Sequence, residues 1–324
     1  MGKDLVPWSV NQPLPAVLER AGANAKFATE EYFKAMLNNE HTRRAYGRIV
    51  RNFLTWLDER GKELHLITPG DAGEYFGQLT GSTPTKNQAL AALRHYFDVL
   101  VTRHAVPLNS FASVRGIKHR IVEGKTAELD TNQSRKLFKA LDTSDVIGLR
   151  DRAVLLTLAY TGARVGAVAK LQMGDVRRHG EQWSIRFNEK GGKQRDIPVR
   201  HDLRTCLIAY MEAAGVLDDA KTAPLFRASP GRRKNLTAAP FAEQDIRRMM
   251  KRRLNHATLS TEFSPHSFRV AVVTDLLKQD VPLEDVQYLA GHSDPKTTLI
   301  YDRRRRSVTR NTVERISNVI SQLD

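Results

Sequence analysis

The chain has 324 residues, a length that allows two domains, and its 41% hydrophobic and 27% charged residues are typical of globular proteins. No apolar stretch approaches the roughly 20 residues that cross a bilayer, and the polar first residues do not resemble a signal sequence, so a cytoplasmic location is expected. The single cysteine, Cys206, excludes an intrachain disulfide and is expected to be a small buried side chain.

Positive charge dominates the composition. The chain has 51 lysines and arginines against 36 aspartates and glutamates, which gives a formal net charge of +15. Such an excess favours a polyanionic partner, because each phosphate that a basic side chain neutralises releases condensed counterions. An anionic membrane surface would attract the same charge. The basic residues cluster at 232–234, 247–253 and 303–306, with core-forming apolar residues between the clusters. This distribution predicts a folded basic surface and favours nucleic acid.

The N-terminal part of the chain reads as a short arm followed by helices. Residues 1–25 contain prolines and small residues and predict a loosely structured arm. Apolar residues recur at helical spacing from His41 to Arg60. Thr68-Pro69 and Thr83-Pro84 each combine a capping residue with a proline suited to the first helical turn. Residues 26–113 are therefore predicted to form a compact helical domain.

One face of the helix predicted at 41–60 is basic. A charged helix face is usually only solvated, but in so basic a chain contact with phosphates is at least as good an interpretation. The candidate DNA-binding residues are these arginines and three basic residues of the second half of the chain: Arg43, Arg44, Arg48, Arg51, Lys193, Arg247 and Arg248.

Residues 114–130 are rich in charge and poor in bulky apolar side chains, which predicts an interdomain linker. The second domain, 131–324, begins with a predicted helix, and a helix of buried type at 150–160 stops at Gly162. Alternating side chains at 183–187 and 195–199 predict a small antiparallel hairpin, and the rest of the domain reads as helical. The predicted fold class is therefore mainly α with a small antiparallel β-sheet, in two domains.

Three segments of the second domain carry residues suited to chemistry. The first presents Arg164 just after the glycine break at 162. In the second, His266 and Arg269 are three residues apart at a helix start and therefore share a face. The third is a Gly-His pair that ends in His292 and is followed by Tyr301. Each has an ordinary explanation taken singly, such as helix capping or core packing. Their order within one basic domain points instead to one site.

This series resembles the tyrosine recombinase, or phage integrase, family, most specifically from Thr161 to Arg303. The N-terminal helical domain is similar in kind to that family's core-binding domain, so the resemblance implies a two-domain, C-shaped clamp whose catalytic domain ends in a C-terminal interaction helix. On the predicted hairpin, Lys190 precedes the turn glycines and matches the catalytic lysine better than the alternative, Lys193. The resemblance implies six catalytic residues, the last of them the nucleophile: Arg164, Lys190, His266, Arg269, His292 and Tyr301.

The chemistry of DNA strand cleavage explains these residue types. A phosphodiester attacked in line gains negative charge on its non-bridging oxygens, which two arginines and the donor His292 can hold. A tyrosine, with an ordinary pKa of about 10, needs help to lose its proton, and His266 is the natural base, while the cationic surroundings are expected to lower that pKa. Lys190 can protonate the leaving 5′-oxygen. The resemblance implies a covalent 3′-phosphotyrosine that stores the bond energy, so neither a cofactor nor a metal ion is expected.

The resemblance also implies the partners. They are double-stranded DNA with a specific recombination site and further copies of the chain, in a homotetramer on two sites that passes through a Holliday junction. The amphipathic segment after Tyr301 is expected to dock on a neighbouring protomer. The expected setting is the prokaryotic nucleoid in the cytoplasm. Integration or excision of a mobile element, cointegrate or dimer resolution, and inversion all use this chemistry.

One position departs from the family pattern. Many relatives have an acidic residue three positions after the first arginine, where this chain has Ala167. Another group must therefore orient Arg164, and Asp175 is a nearby candidate. Other interpretations are a DNA-binding regulator that has the fold without the activity, and a type IB topoisomerase, which uses similar tyrosine chemistry without site specificity. A metal-dependent nuclease built on His266 and His292 is a third.

Overall fold

The computed structural model describes residues 15–37, 39–118, 126–188, 192, 194–231, 235–292 and 294–301. The chain divides into two compact units, Met1–Arg120 and Ile121–Asp324, so the division falls inside the linker predicted at 114–130. Within the described ranges, no helix has both the length and the apolar character needed to cross a membrane.

The regular elements in the described part of the first unit are all helices. Its α-helices are α1 (Ala16–Arg20), α2 (Gly22–Glu31), α3 (Glu40–Glu59), α4 (Pro69–Gln78) and α5 (Thr83–Thr102). A π-helical segment, Tyr32–Met36, continues α2, and a 3₁₀ turn, Leu64–Leu66, precedes α4. The predicted start of α4 is confirmed: the Thr68 hydroxyl accepts a hydrogen bond from the Asp71 amide and the Asp71 carboxylate accepts one from the Thr68 amide.

The prediction of a loose arm over residues 1–25 is wrong for residues 16–25, which form α1 and the start of α2. Val17 and Ala25 are completely buried, so this segment belongs to the core of the first unit. Pro15 is the N-cap residue of α1, a position where the missing amide proton costs nothing, so its presence indicates a helix start there. Residues 1–14 lie outside the described residues.

Aromatic side chains fill the core of the first unit. The ring of Phe53 on α3 lies 5.0 Å from that of Tyr75, 5.1 Å from that of Phe111 and 5.7 Å from that of Phe97, all in edge-to-face arrangements that suit aromatic quadrupoles. Because α3 buries this face, its arginines lie on the other side of the helix.

The second unit combines helices with one described sheet. Its α-helices are α6 (Thr131–Lys139), α7 (Val146–Thr161), α8 (Val165–Ala169), α9 (His201–Ala214), α10 (Glu243–His256), α11 (Pro265–Lys278), α12 (Leu283–Ala290) and α13 (Pro295–Leu299). Its strands are β1 (Val176–His179), β2 (Gln182–Asn188) and β3 (Gln194–Pro198).

The sheet is antiparallel in the order β1-β2-β3. Ile185 in β2 pairs with Val176 on one side and Ile197 on the other, and Ile185 and Ile197 both face the core. The hairpin predicted from alternation is confirmed. The sheet also contains β1, which turns into β2 at Gly180 with a φ of 61° that suits glycine.

A buried helix holds the segments that carry the candidate site residues. α7 is buried on nearly every side, in keeping with its apolar sequence, and it packs against α9 and α11. It ends at Gly162, whose φ of 57° is the left-handed conformation typical of a helix C-terminus. Arg164 follows the end of α7, and Arg269 lies on α11, which packs against α7.

Candidate active site

The glycine turn after α7 connects the two candidate arginines. Arg269 on α11 is 2% exposed, and its Nη1 donates a hydrogen bond of 2.8 Å to the carbonyl of Gly162. Two residues further along the chain, Arg164 is the N-cap of α8, and its side chain is exposed. The left-handed turn at Gly162 therefore both ends α7 and directs a carbonyl that orients the buried guanidinium.

The guanidinium of Arg164 contacts a different glycine. Its Nη1 and Nη2 lie 3.4 and 3.5 Å from the carbonyl oxygen of Gly291, which follows α12. Gly291 has a φ of 62°, again the left-handed conformation of a helix end. This contact brings Arg164 close to His292, because Gly291 directly precedes His292 in the chain.

The candidate nucleophile lies beside the candidate base. Tyr301 is 9% exposed, and its hydroxyl oxygen is 3.1 Å from Nε2 of His266, the second residue of α11. Pro265 occupies the first helical position, and Ser264 and Ser267 form a capping box, so the start of α11 is fixed locally. A hydrogen bond of this length allows direct proton transfer between the two side chains.

The pKa values of this pair are shifted in opposite directions. Burial raises the pKa of the Tyr301 hydroxyl, while the charges of Arg269 and Arg164 act against that shift. The two arginines thus lower the pKa of Tyr301 as expected, but burial outweighs them and the net direction is upward. Partial burial, followed by the charges of Arg269, Arg164 and Arg247, lowers the pKa of His266. His266 is therefore neutral at neutral pH, and its ring nitrogen can accept a proton.

His292 is buried between Thr298 and Tyr301. It is 7% exposed, its Nδ1 is 2.9 Å from the Thr298 hydroxyl oxygen, and its ring stacks on that of Tyr301 at a centroid distance of 5.9 Å and an interplanar angle of 6°. Burial, followed by the charges of Arg269 and Arg164, lowers its pKa to about 3. The imidazole is neutral at physiological pH and carries one N–H donor.

This shift predicts a pH dependence of stability. The pKa of His292 is about 3 in the folded protein against an ordinary value of 6.5, so between these values the unfolded chain binds a proton that the folded chain does not. Neutral His292 therefore makes its full contribution to the free energy of unfolding above pH 6.5. That contribution is lost as the pH falls toward 3, the pKa of His292 in the folded protein. From this group we expect the free energy of unfolding at about pH 5 to be about 2 kcal/mol lower than at about pH 7.5.

Urea unfolding at the two pH values measures this effect. In His292→Gln the decrease in the free energy of unfolding from about pH 7.5 to about pH 5 should be smaller than in the wild type by about 2 kcal/mol. His201→Gln is the matched control, because His201 lies exposed at the start of α9, and its decrease should equal that of the wild type. An undiminished decrease in His292→Gln would contradict the assignment.

Two acids lie near the segment that contains Ala167. The Asp175 carboxylate accepts a hydrogen bond from the Gln172 amide, which caps a 3₁₀ turn, while the Arg164 guanidinium contacts the Gly291 carbonyl. The other acid is Glu243, at the start of α10. A Cβ atom added at Gly166 would lie 2.8 Å from Oε2 of Glu243, so glycine leaves room for this acid beside α8.

The candidate lysines Lys190 and Lys193 lie outside the described residues, as does the C-terminal segment after Tyr301. The basic cluster at 232–234 lies outside them too. Their assignments stay predictions.

The candidate DNA-binding arginines of the first unit lie on α3. Nε and Nη2 of Arg43 donate to the Leu37 carbonyl, so this residue holds the chain that enters the helix. Arg44 forms an ion pair with Glu40 and is largely exposed, and Arg48 is exposed as well. Arg51 is partly exposed.

The candidate arginines of the second unit lie on the N-terminal half of α10. Arg247 pairs with Glu243 at 2.6 Å and Arg248 with Asp245 at 3.0 Å. The charge of Arg247 is among those that lower the pKa of His266, which places this end of α10 near the site. The buried Arg195 was not among the predicted site residues, although its charge also lowers the pKa of His292. A signal existed, because Arg195 is in phase with Ile197 on a strand and therefore points inward.

The sequence profile of the Phage integrase family matches residues 127–307, which is more than half of the chain. The chain belongs to the phage integrase family. The profile of the integrase N-terminal SAM-like domain matches residues 30–104 of this integrase, within its first unit. The family resemblance inferred from the sequence is thereby confirmed.

Known relatives agree with this membership. Tyrosine recombinase XerD from Listeria innocua is 28% identical over 274 residues, 81% of this integrase and 87% of the relative. The integrase is also similar to two solved structures. One is the XerH site-specific recombinase bound to a palindromic difH substrate, with a TM-score of 0.66, 17% identity and coverage of 87% of this chain and 86% of the other. The other is a lambda integrase tetramer bound to a Holliday junction, with a TM-score of 0.63, 18% identity and coverage of 92% and 82%. The predicted fold class is confirmed, and the protein is a tyrosine recombinase, an enzyme of site-specific DNA recombination.

Proposed function

We propose that this integrase cuts one strand of duplex DNA at a specific site and joins it to a new partner strand through a 3′-phosphotyrosine at Tyr301. One observation carries the proposal: the Tyr301 hydroxyl is 3.1 Å from Nε2 of a neutral His266, and the charges of Arg164 and Arg269 reach both groups. A nucleophile, a base and two phosphate-binding cations are thus available together.

In the first step His266 accepts the proton of Tyr301. The pKa of the tyrosine is raised by burial, so the free hydroxyl is a weak nucleophile at neutral pH and requires the base. As the proton moves to Nε2, the phenolic oxygen attacks the phosphorus. The bond from phosphorus to the tyrosine oxygen forms, and the bond from phosphorus to the 5′-oxygen breaks.

The charge that develops on the non-bridging oxygens is held by fixed donors. Arg164 and Arg269 are oriented by carbonyls, of Gly291 and Gly162, so part of each guanidinium fork is fixed before DNA binds. His292 adds a hydrogen bond from Nε2 if the Thr298 hydroxyl donates to Nδ1, because a neutral imidazole has a single N–H. Thr298 then selects the tautomer that can donate to the phosphate.

Lys190 donates the proton that the departing 5′-oxygen requires, with Lys193 as the alternative on the same hairpin. The phosphotyrosine ester conserves the energy of the phosphodiester bond. Attack by a 5′-hydroxyl from another strand reverses the sequence, returns the proton to Tyr301 and needs no nucleotide hydrolysis.

The partner is double-stranded DNA. The net charge of +15 and the basic residues exposed on α3 and α10 support the proposal that each of the two units contacts DNA phosphates. We place the reaction on the nucleoid in a prokaryotic cytoplasm, in a homotetramer on two sites that passes through a Holliday junction, with the segment after Tyr301 docked on a neighbouring protomer. Movement of a mobile element and resolution of joined replicons are served by the same chemistry.

Covalent trapping tests the proposal. Sheared DNA that includes both flanks of the protein's own gene is incubated with the protein, and fragments that stay bound in detergent are sequenced. A duplex of the enriched sequence, nicked just beyond the cleavage point, then lets the short fragment that carries the new 5′-hydroxyl diffuse away, which blocks rejoining. We expect a stable adduct that forms equally with EDTA present, and we expect peptide mass spectrometry to find the nucleotide on Tyr301.

Two outcomes would overturn the proposal. One is the absence of any enriched covalent fragment, which would favour a regulator that binds DNA without cutting it. The other is an adduct that EDTA abolishes, which would favour metal-dependent chemistry. A plasmid with two copies of the enriched site distinguishes the topoisomerase, since a recombinase yields exchanged products and a topoisomerase only relaxed circles.

A further inference from the structure

The position of His292 is fixed by the C-terminal end of α12. The helix ends at Ala290, and Gly291 adopts the left-handed conformation. The amide of Gly291 then donates to the Tyr288 carbonyl at 3.0 Å, and the amide of His292 donates to the Gln287 carbonyl at 3.1 Å. The side-chain amide of Gln287 donates back to the His292 carbonyl at 3.0 Å. Any shift of this helix end therefore moves His292.

Two arginines bind carbonyls at this helix end. Arg164 contacts the Gly291 carbonyl at 3.4 and 3.5 Å, and Nη1 of Arg195, on β3, donates to the Tyr288 carbonyl at 3.0 Å. The last carbonyls of a helix lack partners within the helix and form the negative end of its dipole, so cations are favoured there. Arg164 belongs to the proposed catalytic set, whereas Arg195 has no role in the steps above.

Arg195 is held in place by its burial. It is 4% exposed and pairs across the sheet with Phe187, and its guanidinium carbon lies 5.7 Å from the centre of that ring. A buried arginine costs free energy unless its donors are used, so an inward position on a strand calls for an acceptor such as the Tyr288 carbonyl. Because its guanidinium is covered by protein, Arg195 is not available as a surface contact for DNA.

We propose that Arg195 is a positioning residue for His292: by binding the C-terminal end of α12, it ties β3 to the histidine assigned above to the phosphate. The proposal rests on the proposed function, since it assigns no chemistry to Arg195 itself. β3 begins at Gln194, shortly after Lys190 in the chain, so the same strand joins the segment that carries the general acid to the helix end that carries His292. The effect of Arg195 on the pKa of His292 agrees with their proximity.

The inference predicts a loss of rate without a loss of DNA affinity. In Arg195→Gln we expect the single-turnover rate of adduct formation on the nicked duplex to fall by about tenfold to a hundredfold, as small misplacements of catalytic groups do. The Kd for the same duplex, measured by fluorescence anisotropy, should change by less than about threefold, since a buried side chain does not contact phosphates. Arg195→Lys keeps a cation that can reach the Tyr288 carbonyl and should recover part of the rate.

Arg186→Gln is the matched control. Arg186 lies on β2 of the same sheet, and its Nε and Nη2 donate to the Asp196 carboxylate at 2.8 and 2.6 Å, on the face of the sheet opposite the buried Arg195 side chain. We expect its adduct rate to equal that of the wild type.

The possible outcomes separate this inference from the proposed function. If the wild type forms no adduct, the proposed function fails. If it does, a wild-type rate in Arg195→Gln overturns the inference, and so does a fall in rate matched by an equal loss of affinity. Should Arg195→Gln not fold, as judged by circular dichroism, Arg195→Lys decides. A rate lowered by about threefold to tenfold with retained affinity supports the inference, and a wild-type rate overturns it.

Discussion

Tyr301→Phe should reduce covalent adduct formation below detection while the protein stays folded and binds DNA. The substitution removes the oxygen that forms the bond to phosphorus, and no other group can replace a missing nucleophile, so a loss of about a millionfold is expected. The phenyl ring keeps its stacking on His292 at 5.9 Å, and only the hydrogen bond to His266 is lost. Loss of that bond lowers the free energy of unfolding by about 1 kcal/mol.

Adduct formation on the nicked duplex and urea unfolding measure the two effects. Tyr288→Phe is the matched control: Tyr288 is 58% exposed on α12, and phenylalanine preserves the backbone carbonyl that Arg195 binds. It should form adduct at the wild-type rate. An adduct that persists in Tyr301→Phe would show that another residue is the nucleophile.

Arg269→Lys should slow adduct formation by about a thousandfold. The guanidinium uses Nη1 to hold the Gly162 carbonyl at 2.8 Å, and its planar fork can at the same time present donors in a second direction. A lysine ammonium is a single point that cannot do both, so the phosphate loses a fixed donor in the transition state. Charge is conserved, so the change tests the geometry of the fork.

Arg150→Lys is the control that matches Arg269→Lys in burial. Arg150 is 2% exposed, and its Nη1 donates to the Arg227 carbonyl at 2.9 Å, as Arg269 does to Gly162. Both variants should lose about 1–3 kcal/mol of unfolding free energy in urea, because a lysine ammonium cannot make all the buried hydrogen bonds of the guanidinium that it replaces. Only Arg269→Lys should lose adduct formation. Rates within about tenfold of each other would mean that Arg269 serves the fold alone.

Local sequence signals predicted the helix ends that depend on local hydrogen bonds. Thr68 and Pro69 start α4, and Gly162 ends α7, because caps, fixed φ values and left-handed turns involve residues within one turn of each other. The same reasoning went wrong at residues 16–25. There the only large apolar residues are Val17 and Leu18, and the helix is stabilised by their burial in a core built by the rest of the first unit.

The site shows the same division. The residue types of the candidate site were recognisable in order along the chain, and so was the hairpin that lies between Arg164 and His266. Burial reversed the expected direction of the Tyr301 pKa shift, because desolvation depends on every atom packed around the hydroxyl and outweighs the two arginines. Likewise, Ala167 indicated that the usual acid is missing, whereas only the packing of α10 shows that Glu243 lies beside Gly166.

By itself the sequence determined the family, the mainly α fold with a small antiparallel sheet, and which chemical groups are present for strand cleavage. The tertiary structure alone decided how those groups are held. Arg164 meets the carbonyl of Gly291, which is 127 residues away in the chain, and Arg269 meets that of Gly162, which is 107 residues away. Periodicity and capping act within a few residues, whereas these contacts and the burial that shifts the pKa values arise only when distant elements pack together.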